Sequence, residues 1–316
     1  MRTIKIGSRA SQLALVQAEI IINMLKEKFP QYTYEIIKIT TLGDRILDKT
    51  LDKIGGKGLF VKEIQKALAE EKIDLAIHSM KDMPGETPEE LVLGAITKRE
   101  DPRDVLITRE NKSLEELPKG AVIGSSSLRR QAQVMALRGD IKVVPIRGNV
   151  GTRLGKIETE SLDGVILAAA GLNRLGLKEK ISSYLEIEDF TPAVGQGALG
   201  CEARRKDIEM LEMLLAINHE ETYRCVMAER AFLKLLEGGC HVPIGAYGQQ
   251  QGQELHMTGM VASSDGRRVI KEQVMGDIAD FQALGIQLGE TLIEKGAKEI
   301  LETVNTDNRI VNTEGS

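Results

Sequence analysis

Apolar positions along the 316-residue chain fall into two alternating rhythms, short unbroken runs and longer series at helical spacing. Ile4 to Gly7 is the first run and predicts a strand. Ser11 can cap the helix that follows, in which Leu13, Val16, Ile20 and Met24 give one apolar face. Pro30 closes that helix and Tyr34 to Thr40 returns as a strand. The opening is therefore a βαβ unit, which predicts a largely parallel sheet with a right-handed crossover. A helix from about Leu59 to Glu71, a buried strand at Leu75 to Ile77 and another strand at Leu91 to Ile96 continue the pattern.

Lys98-Arg-Glu-Asp-Pro-Arg-Asp104 interrupts it. This stretch is charged, holds a proline and has no apolar period, so it reads as a hinge or domain crossing. Beyond it the opening theme recurs: Val122-Ile-Gly-Ser125 echoes Lys5-Ile-Gly-Ser8, again a strand, a glycine, a serine and a helix start. Strands follow at Ile141 to Ile146 and Gly164 to Leu167, with a helix start after Arg147-Gly-Asn-Val-Gly-Thr-Arg153 between them. Pro192-Ala-Val-Gly-Gln-Gly-Ala-Leu-Gly200 reads as a second crossing, and two crossings are what a hinged clamp requires. Helical patterns then cover Lys206 to Ile217 and Glu220 to Leu236. Three short strands (near Val242 to Tyr247, Leu255 to Ala262 and Arg268 to Val274) and two helices (Ile278 to Glu294, Lys298 to Val304) close the chain. The predicted fold is α/β: two similar doubly wound domains facing each other, plus a small C-terminal α+β domain. The predicted division is 1–98 with 198–217, then 103–193, then 219–310, with 311–316 as a tail.

Composition narrows the function. Hydrophobic content of 42% and charged content of 28% are those of a soluble globular protein. Lys+Arg number 42 against Asp+Glu 47, a formal net charge of −5, which disfavours a general nucleic-acid binder. Aromatic residues at 3% and no Trp leave little to stack on single strands. The start passes straight into a strand pattern, and no apolar run approaches membrane-spanning length, so neither export nor a membrane is expected. Cys201, Cys225 and Cys240 are odd in number and far apart, without C-x-x-C spacing, which argues against a disulfide framework and a zinc site. A reducing cytoplasm is the simplest compartment.

Candidate chemistry concentrates where the strand pattern stops. In Ile73-Asp-Leu-Ala-Ile-His-Ser-Met-Lys-Asp-Met-Pro-Gly85 a buried strand ends in a turn signal, and Lys81 and Asp82 stand at its carboxyl end, where open α/β sheets place ligands. Asp82 reads either as a proton-handling carboxylate or as a turn cap paired with Lys81. The long loop from Leu42 to Phe60 contains Gly56-Lys57 but lacks the spacing of a phosphate loop; it offers Lys53 and Lys57 either to solvent or to an anion. Helix starts bind anions through free N–H groups and the helix dipole. Ser8, Arg9 and Ser11, then Ser125 to Arg130, then Gly148 to Arg153, each place arginines and small polar residues at such a start. Arginine suits planar carboxylate or phosphate recognition, at about 1.5–3 kcal/mol per charge-assisted bond, so a ligand with several negative groups is expected. Arg129, Arg130 and Arg147 accordingly read as carboxylate binders rather than supports of the fold. Glu86, Glu89, Glu90, Glu186, Glu188 and Asp189 are available to offset a positive cleft. Cys201 and Cys225 read as small buried hydrophobes. Cys240 differs, because two glycines precede it and Pro243 follows; its thiol is either reactive or not, and His241 either lowers its pKa or faces solvent. His219 and His256 read as structural, and His78 as either.

Six stretches carry a resemblance: HSMKD at 78–82, GGKGLF at 55–60, GSSSLRRQ at 124–131, RGNVGTR at 147–153, PAVGQGA at 192–198 and EGGCHVPIG at 237–245. Together, and in this register over essentially the whole chain, they resemble the porphobilinogen deaminase (hydroxymethylbilane synthase) family. Ser125 stands where many members have threonine, which keeps the hydroxyl. The resemblance implies a transferase that condenses four porphobilinogen units, with release of ammonia, into linear hydroxymethylbilane, as part of heme and other tetrapyrrole biosynthesis. It implies a dipyrromethane cofactor joined as a thioether to Cys240, which primes the chain. It implies carboxylate binding at Arg9, Ser11, Lys81, Ser125, Ser126, Ser127, Arg129, Arg130, Arg147, Arg153 and Arg174, and a lid carrying Lys53 and Lys57. Asp82 then hydrogen-bonds pyrrole N–H groups, stabilises the azafulvene cation left by the departing amine, and shuttles protons. A cytoplasmic monomer is expected, with no metal, and with a product passed to the next enzyme of the pathway. The lobes are expected to be periplasmic-binding-protein-like domains joined by two hinge crossings, and the rival reading is a solute-binding module whose two hinged lobes close on an anionic small molecule without chemistry; the fold alone does not separate the two.

Overall fold

The echo between the two Ile-Gly-Ser stretches is a structural equivalence in the computed structural model, which describes residues 2–45, 58–236 and 242–304. In the first lobe the elements are β1 (Thr3–Arg9), α1 (Gln12–Lys28), β2 (Thr33–Ile39), α2 (Leu42–Arg45), α3 (Lys62–Ala69), β3 (Leu75–Ser79) and β4 (Leu91–Ile96). The second holds β5 (Asp104–Thr108), β6 (Val122–Gly124), α4 (Leu128–Leu137), β7 (Lys142–Val144), α5 (Val150–Thr159), β8 (Gly164–Ala168), α6 (Ala169–Arg174) and β9 (Ser183–Leu185). The chain then returns through β10 (Leu199–Arg204) and α7 (Ile208–Leu215) to the first sheet.

The two five-stranded sheets have matching orders, β2-β1-β3-β10-β4 and β7-β6-β8-β5-β9. β1 and β6 hold the same place, each parallel to both neighbours. The glycine they share has one cause: a Cβ on Gly7 would stand 2.3 Å from Ile73, and one on Gly124 would stand 2.8 Å from Leu162, the residues that lead into β3 and β8. The expectation of largely parallel sheets needs correction. β10 runs antiparallel to β3 and β4, and β5 runs antiparallel to β8 and β9. Each of these strands is delivered by a crossing from the other lobe, and so enters its sheet from the opposite end. Their sequences had been absorbed into the charged and glycine-rich crossing signals.

The third part packs α8 (Glu220–Leu235) and α9 (Phe281–Glu294), with a helix at 297–304, against an antiparallel sheet of β11 (Ile244–Gln251), β12 (Glu254–Ala262) and β13 (Val269–Asp277). Its core centres on Phe232, Leu255, Val261, Leu288 and Leu292. The fold is thus two α/β lobes and a small α+β unit.

Two fully buried carboxylates fasten the crossings. Asp104, at the start of β5, receives Arg129 Nη2 (2.7 Å), Arg130 Nε and Nη2 (2.9 and 2.6 Å) and Gln196 Nε2 (3.0 Å). Gln196 lies on the second crossing and also donates to Pro102 O on the first, at 2.7 Å. Burial alone would raise the Asp104 pKa, but Arg129 and Arg130 outweigh it and hold the group well below the usual carboxylate range. Glu229 on α8 accepts from Arg99 Nη2 (2.7 Å), the Gly195 N–H (2.7 Å) and the Gly248 N–H (2.9 Å), joining the first crossing, the second crossing and the third part. Removing one side of a buried ion pair costs about 3–5 kcal/mol. Asp104→Ala, which strands two guanidinium groups, should lose stability on that scale in urea unfolding; a loss under about 1 kcal/mol, ordinary for surface changes, would contradict the clamp.

Candidate active site

β3 is buried through its apolar run, and the chain turns at its carboxyl end because Met80 to Asp82 make a single 3-10 turn that Pro84 cannot extend. The Met80 N–H donates to Ala198 O at 3.0 Å, and the Met83 N–H donates to Met80 O at 3.2 Å. Met80 and Met83 are buried in a cluster with Ile96, Ala198 and Val226. Lys81 and Asp82 are left partly exposed. Among the described residues Asp82 accepts no hydrogen bond, so its carboxylate is not occupied in capping the turn. Ser79, at the head of the turn, is tied to Gln17 Nε2 at 3.1 Å.

The charges around this turn come from both lobes. Burial lowers the Lys81 pKa from 10.5 to about 8; Arg130 and Arg129 add repulsion, which Asp82 and Asp104 oppose. Arg153, in the first turn of α5, donates Nε to Gly148 O at 2.8 Å. Burial lowers its guanidinium to about 10, with Arg130, Arg147 and Arg9 repelling it and Asp82 stabilising it. The fold therefore brings Arg9, Lys81 and Asp82 of the first lobe to Arg130, Arg147 and Arg153 of the second. A set of mutually repelling guanidinium groups is relieved by a ligand carrying several carboxylates, and this donor chemistry fits a dipyrrole or longer oligopyrrole with acidic side chains.

The remaining expected positions divide by what they touch. Arg9 is bidentate to Asp44 (Nη2 to Oδ1 2.5 Å, Nε to Oδ1 3.1 Å) and lies 4.0 Å from the Phe60 ring centroid. Ser11 caps α1 by accepting from the Ala14 N–H at 3.3 Å. Ser125 Oγ accepts from the Ser127 N–H, Ser126 Oγ donates to Ile146 O, and Ser127 Oγ accepts from the Arg130 N–H, at 3.3, 2.6 and 3.4 Å. These hydroxyls shape the start of α4. Arg129 and Arg130 support the fold as well, contrary to the expectation that they serve a ligand alone: besides gripping Asp104 they donate to Thr191 O and Ile166 O, at 2.6 and 3.0 Å. Arg174 donates to Gly197 O on the second crossing at 2.6 Å, and burial lowers its guanidinium to about 10 against the opposing charge of Glu100. Of the acids expected to balance the cleft, Glu186 pairs with Arg103 at 2.9 Å and Glu86 with Lys234 at 3.4 Å; Asp104 meets Arg129 and Arg130, and Asp44 meets Arg9.

His78 is buried against Glu202, Nε2 to Oε2 3.2 Å, which makes it structural. Cys201 and Cys225 are buried free thiols, pushed up by burial to about 12 and about 11. Lys53, Lys57, Cys240 and His241 lie outside the described residues. Sequence reasoning missed Asp44, Asp104, Gln196, Glu229 and Arg230, because a single acid or arginine inside a charged loop or helix carries no periodic signal.

Comparison with known proteins adds to this geometry. The family model described as "Porphobilinogen deaminase, dipyromethane cofactor binding domain" matches residues 4–212, and "Porphobilinogen deaminase, C-terminal domain" matches 223–294. The chain is 52% identical over 309 residues to the porphobilinogen deaminase of Bacillus subtilis, covering 97% of this chain and 98% of that one. It is 52% identical over 303 residues to the porphobilinogen deaminase of Geobacter metallireducens, covering 96% and 95%. Among solved structures, the methionine binding protein MetQ aligns with a TM-score of 0.44 at 14% identity, covering 70% of this chain and 92% of that one.

The lowered Lys81 pKa makes stability depend on pH. Below about 8 the ammonium is charged whether the chain is folded or not; between about 8 and 10.5 the unfolded chain binds more protons, so this group adds stability as pH rises through that window. A lysine Cε NMR titration should find the Lys81 midpoint near 8, and Asp82→Asn should lower it further by removing a favourable charge. A midpoint at the ordinary 10.5 would contradict the desolvation of this half-buried ammonium and its repulsion by Arg130 and Arg129.

Proposed function

The chain belongs to the porphobilinogen deaminase family, and we propose that Asp82 carries its chemistry. The enzyme condenses four porphobilinogen molecules into linear hydroxymethylbilane, releasing ammonia, with a dipyrromethane cofactor. A two-lobed binding protein without chemistry is not favoured. One observation supports the assignment of Asp82 above the rest: it is a carboxylate at the carboxyl end of β3, where its charge acts on both Lys81 and Arg153.

In each turnover the carbon–nitrogen bond of the aminomethyl group breaks, and the nitrogen leaves with a proton as ammonia. The Asp82 carboxylate accepts the pyrrole N–H and stabilises the positive charge left on the ring. An α-carbon of the neighbouring pyrrole then forms the new carbon–carbon bond, and its hydrogen leaves as a proton that Asp82 takes up. Water ends the sequence by adding hydroxide to the last cation. When bound, dipyrromethane supplies the pyrrole carbon to which the first substrate is joined. Arg147 and Arg153, with Arg9, Ser11, Lys81, Arg174 and the α4 start (Ser125, Ser126, Ser127, Arg129 and Arg130), bind the acetate and propionate groups. Their mutual repulsion supports this role.

The same proposal includes a thioether from the cofactor to Cys240, a lid bearing Lys53 and Lys57, and domains at 1–98 with 198–217, 103–193 and 219–310. It also includes a cytoplasmic monomer that uses neither nucleic acid nor membrane and passes its product to the next tetrapyrrole enzyme. Buried free thiols at Cys201 and Cys225 support the reducing compartment. No helix of the described residues is long and apolar enough to cross a membrane.

Asp82→Asn keeps the size and removes the charge and the basic oxygen. Losing a positioned acid–base group costs about 10²–10⁴-fold in rate, and Asp82→Glu, with the charge displaced, should retain more activity. Single-turnover ammonia release measures this on folded protein. Release by Asp82→Asn at the parent rate would remove Asp82 from the chemistry.

A further inference from the structure

The turn that carries Asp82 does not rest on its own lobe alone. Its apolar residues Met80 and Met83 share a buried cluster with Val226 of α8, and Tyr223 and Met227 of the same helix pack against that cluster. One turn further along α8, Arg230 donates Nη2 to Pro84 O at 2.8 Å and to Gly85 O at 3.3 Å. Arg230 is only 7% exposed, and its Nη1 is buried without a hydrogen-bond partner among the described residues. The adjacent Glu229 holds the Gly195 N–H, and Gly195 lies flat on the other side of the turn. A Cβ at Gly195, whose φ is +69°, would come within 2.7 Å of Met80 Cβ and 3.4 Å of the Lys81 backbone nitrogen. Consecutive residues of one helix thus bracket both ends of the turn, Glu229 through Gly195 at Met80–Lys81 and Arg230 directly at Pro84–Gly85.

We infer that Arg230 is a positioning residue for Asp82, by which the third part of the chain sets the place of the reacting carboxylate in the first lobe. A buried guanidinium with no carboxylate partner among the described residues is costly to keep, and burial lowers the Arg230 pKa, opposed by the charge of Glu202. Two main-chain carbonyls supply its hydrogen bonds. Both belong to the segment that leaves Asp82, so movement of the guanidinium moves that segment. Displacement of a reacting group by about 1 Å can cost roughly a hundredfold in rate, so a grip at this distance matters to chemistry and not to folding alone. The same helix leads in sequence to Cys240, so one element sets the Asp82 turn and precedes the proposed cofactor thiol.

This inference rests on Asp82 being the reacting carboxylate, and its test separates the two claims. Cofactor-loaded full-length chains carrying Arg230→Ala, Arg230→Lys or Arg224→Ala are compared with the parent by amide hydrogen exchange over residues 78–88 and by single-turnover ammonia release. Arg230→Ala should speed exchange in that segment and slow release roughly ten- to hundredfold, with KM within about threefold. Millimolar guanidinium should restore part of both. Arg230→Lys should fall between, because an ammonium reaches one carbonyl well and two poorly. Arg224, whose Nε pairs with Glu220 at 3.1 Å near the start of the same helix, is the control and should change neither. Unchanged exchange in Arg230→Ala would overturn the grip, and faster exchange with release at the parent rate would overturn the positioning role. Should Arg230→Ala not fold, Arg230→Lys carries the same two readouts. Release by Asp82→Asn at the parent rate defeats the Asp82 reading, and the exchange measurement still decides whether Arg230 holds the turn.

Discussion

A carboxylate taken out of water costs several kcal/mol unless charges and N–H groups meet it, and the junction of the three parts is arranged around that constraint. Asp104, Glu202 and Glu229 are fully buried. Asp104 gathers two arginines of α4 and a glutamine of the second crossing; Glu229 gathers an arginine of the first crossing and amides of Gly195 and Gly248. Glu202, on the strand delivered by the second crossing, meets Gln65 and His78 at 2.8 and 3.2 Å. Each acid stands where segments distant in sequence come together. Satisfying it fixes the crossings, and the crossings fix the turn bearing Asp82.

Two populations of arginine result. Arg129, Arg130 and Arg99 are directed onto buried acids, while Arg153, in the first turn of α5, is crowded by the like charges of Arg130, Arg147 and Arg9. Arg9 is intermediate, held by Asp44 yet a quarter exposed. Like charges crowded at partly buried positions favour a polyanion, which is the chemistry of a growing oligopyrrole. The same burial, with repulsion from Arg130 and Arg129, lowers the Lys81 ammonium to about 8.

The sequence made some of this legible and hid the rest for identifiable reasons. Unbroken apolar runs revealed β1, β3 and β8, and the Ile-Gly-Ser echo revealed the relation between lobes. Asp82 stood out because a strand pattern ended beside it in Pro-Gly. β5, β9 and β10 did not stand out: their partners come from remote parts of the chain, and glycine and charge next to them outweighed their short runs. Arg130 and Arg153 look alike in sequence, each at a helix start beside serine, threonine or asparagine. Only the placement of Asp104 by a crossing strand distinguishes them. Glu229 and Arg230 read as an ordinary polar face of a helix, since burial between domains is a tertiary fact without a local pattern.

As a porphobilinogen deaminase, the chain builds a polyanionic pyrrole oligomer from its dipyrromethane cofactor. Intact-mass spectrometry of the purified full-length chain, before and after brief exposure to porphobilinogen, tests it most directly. The expected resting mass is increased by two linked pyrrole units, mapping to the peptide of Cys240 and absent from Cys240→Ser. After exposure a ladder of heavier species, each one substrate residue apart, is expected. A fully active chain at its unmodified mass, with no ladder, would contradict it.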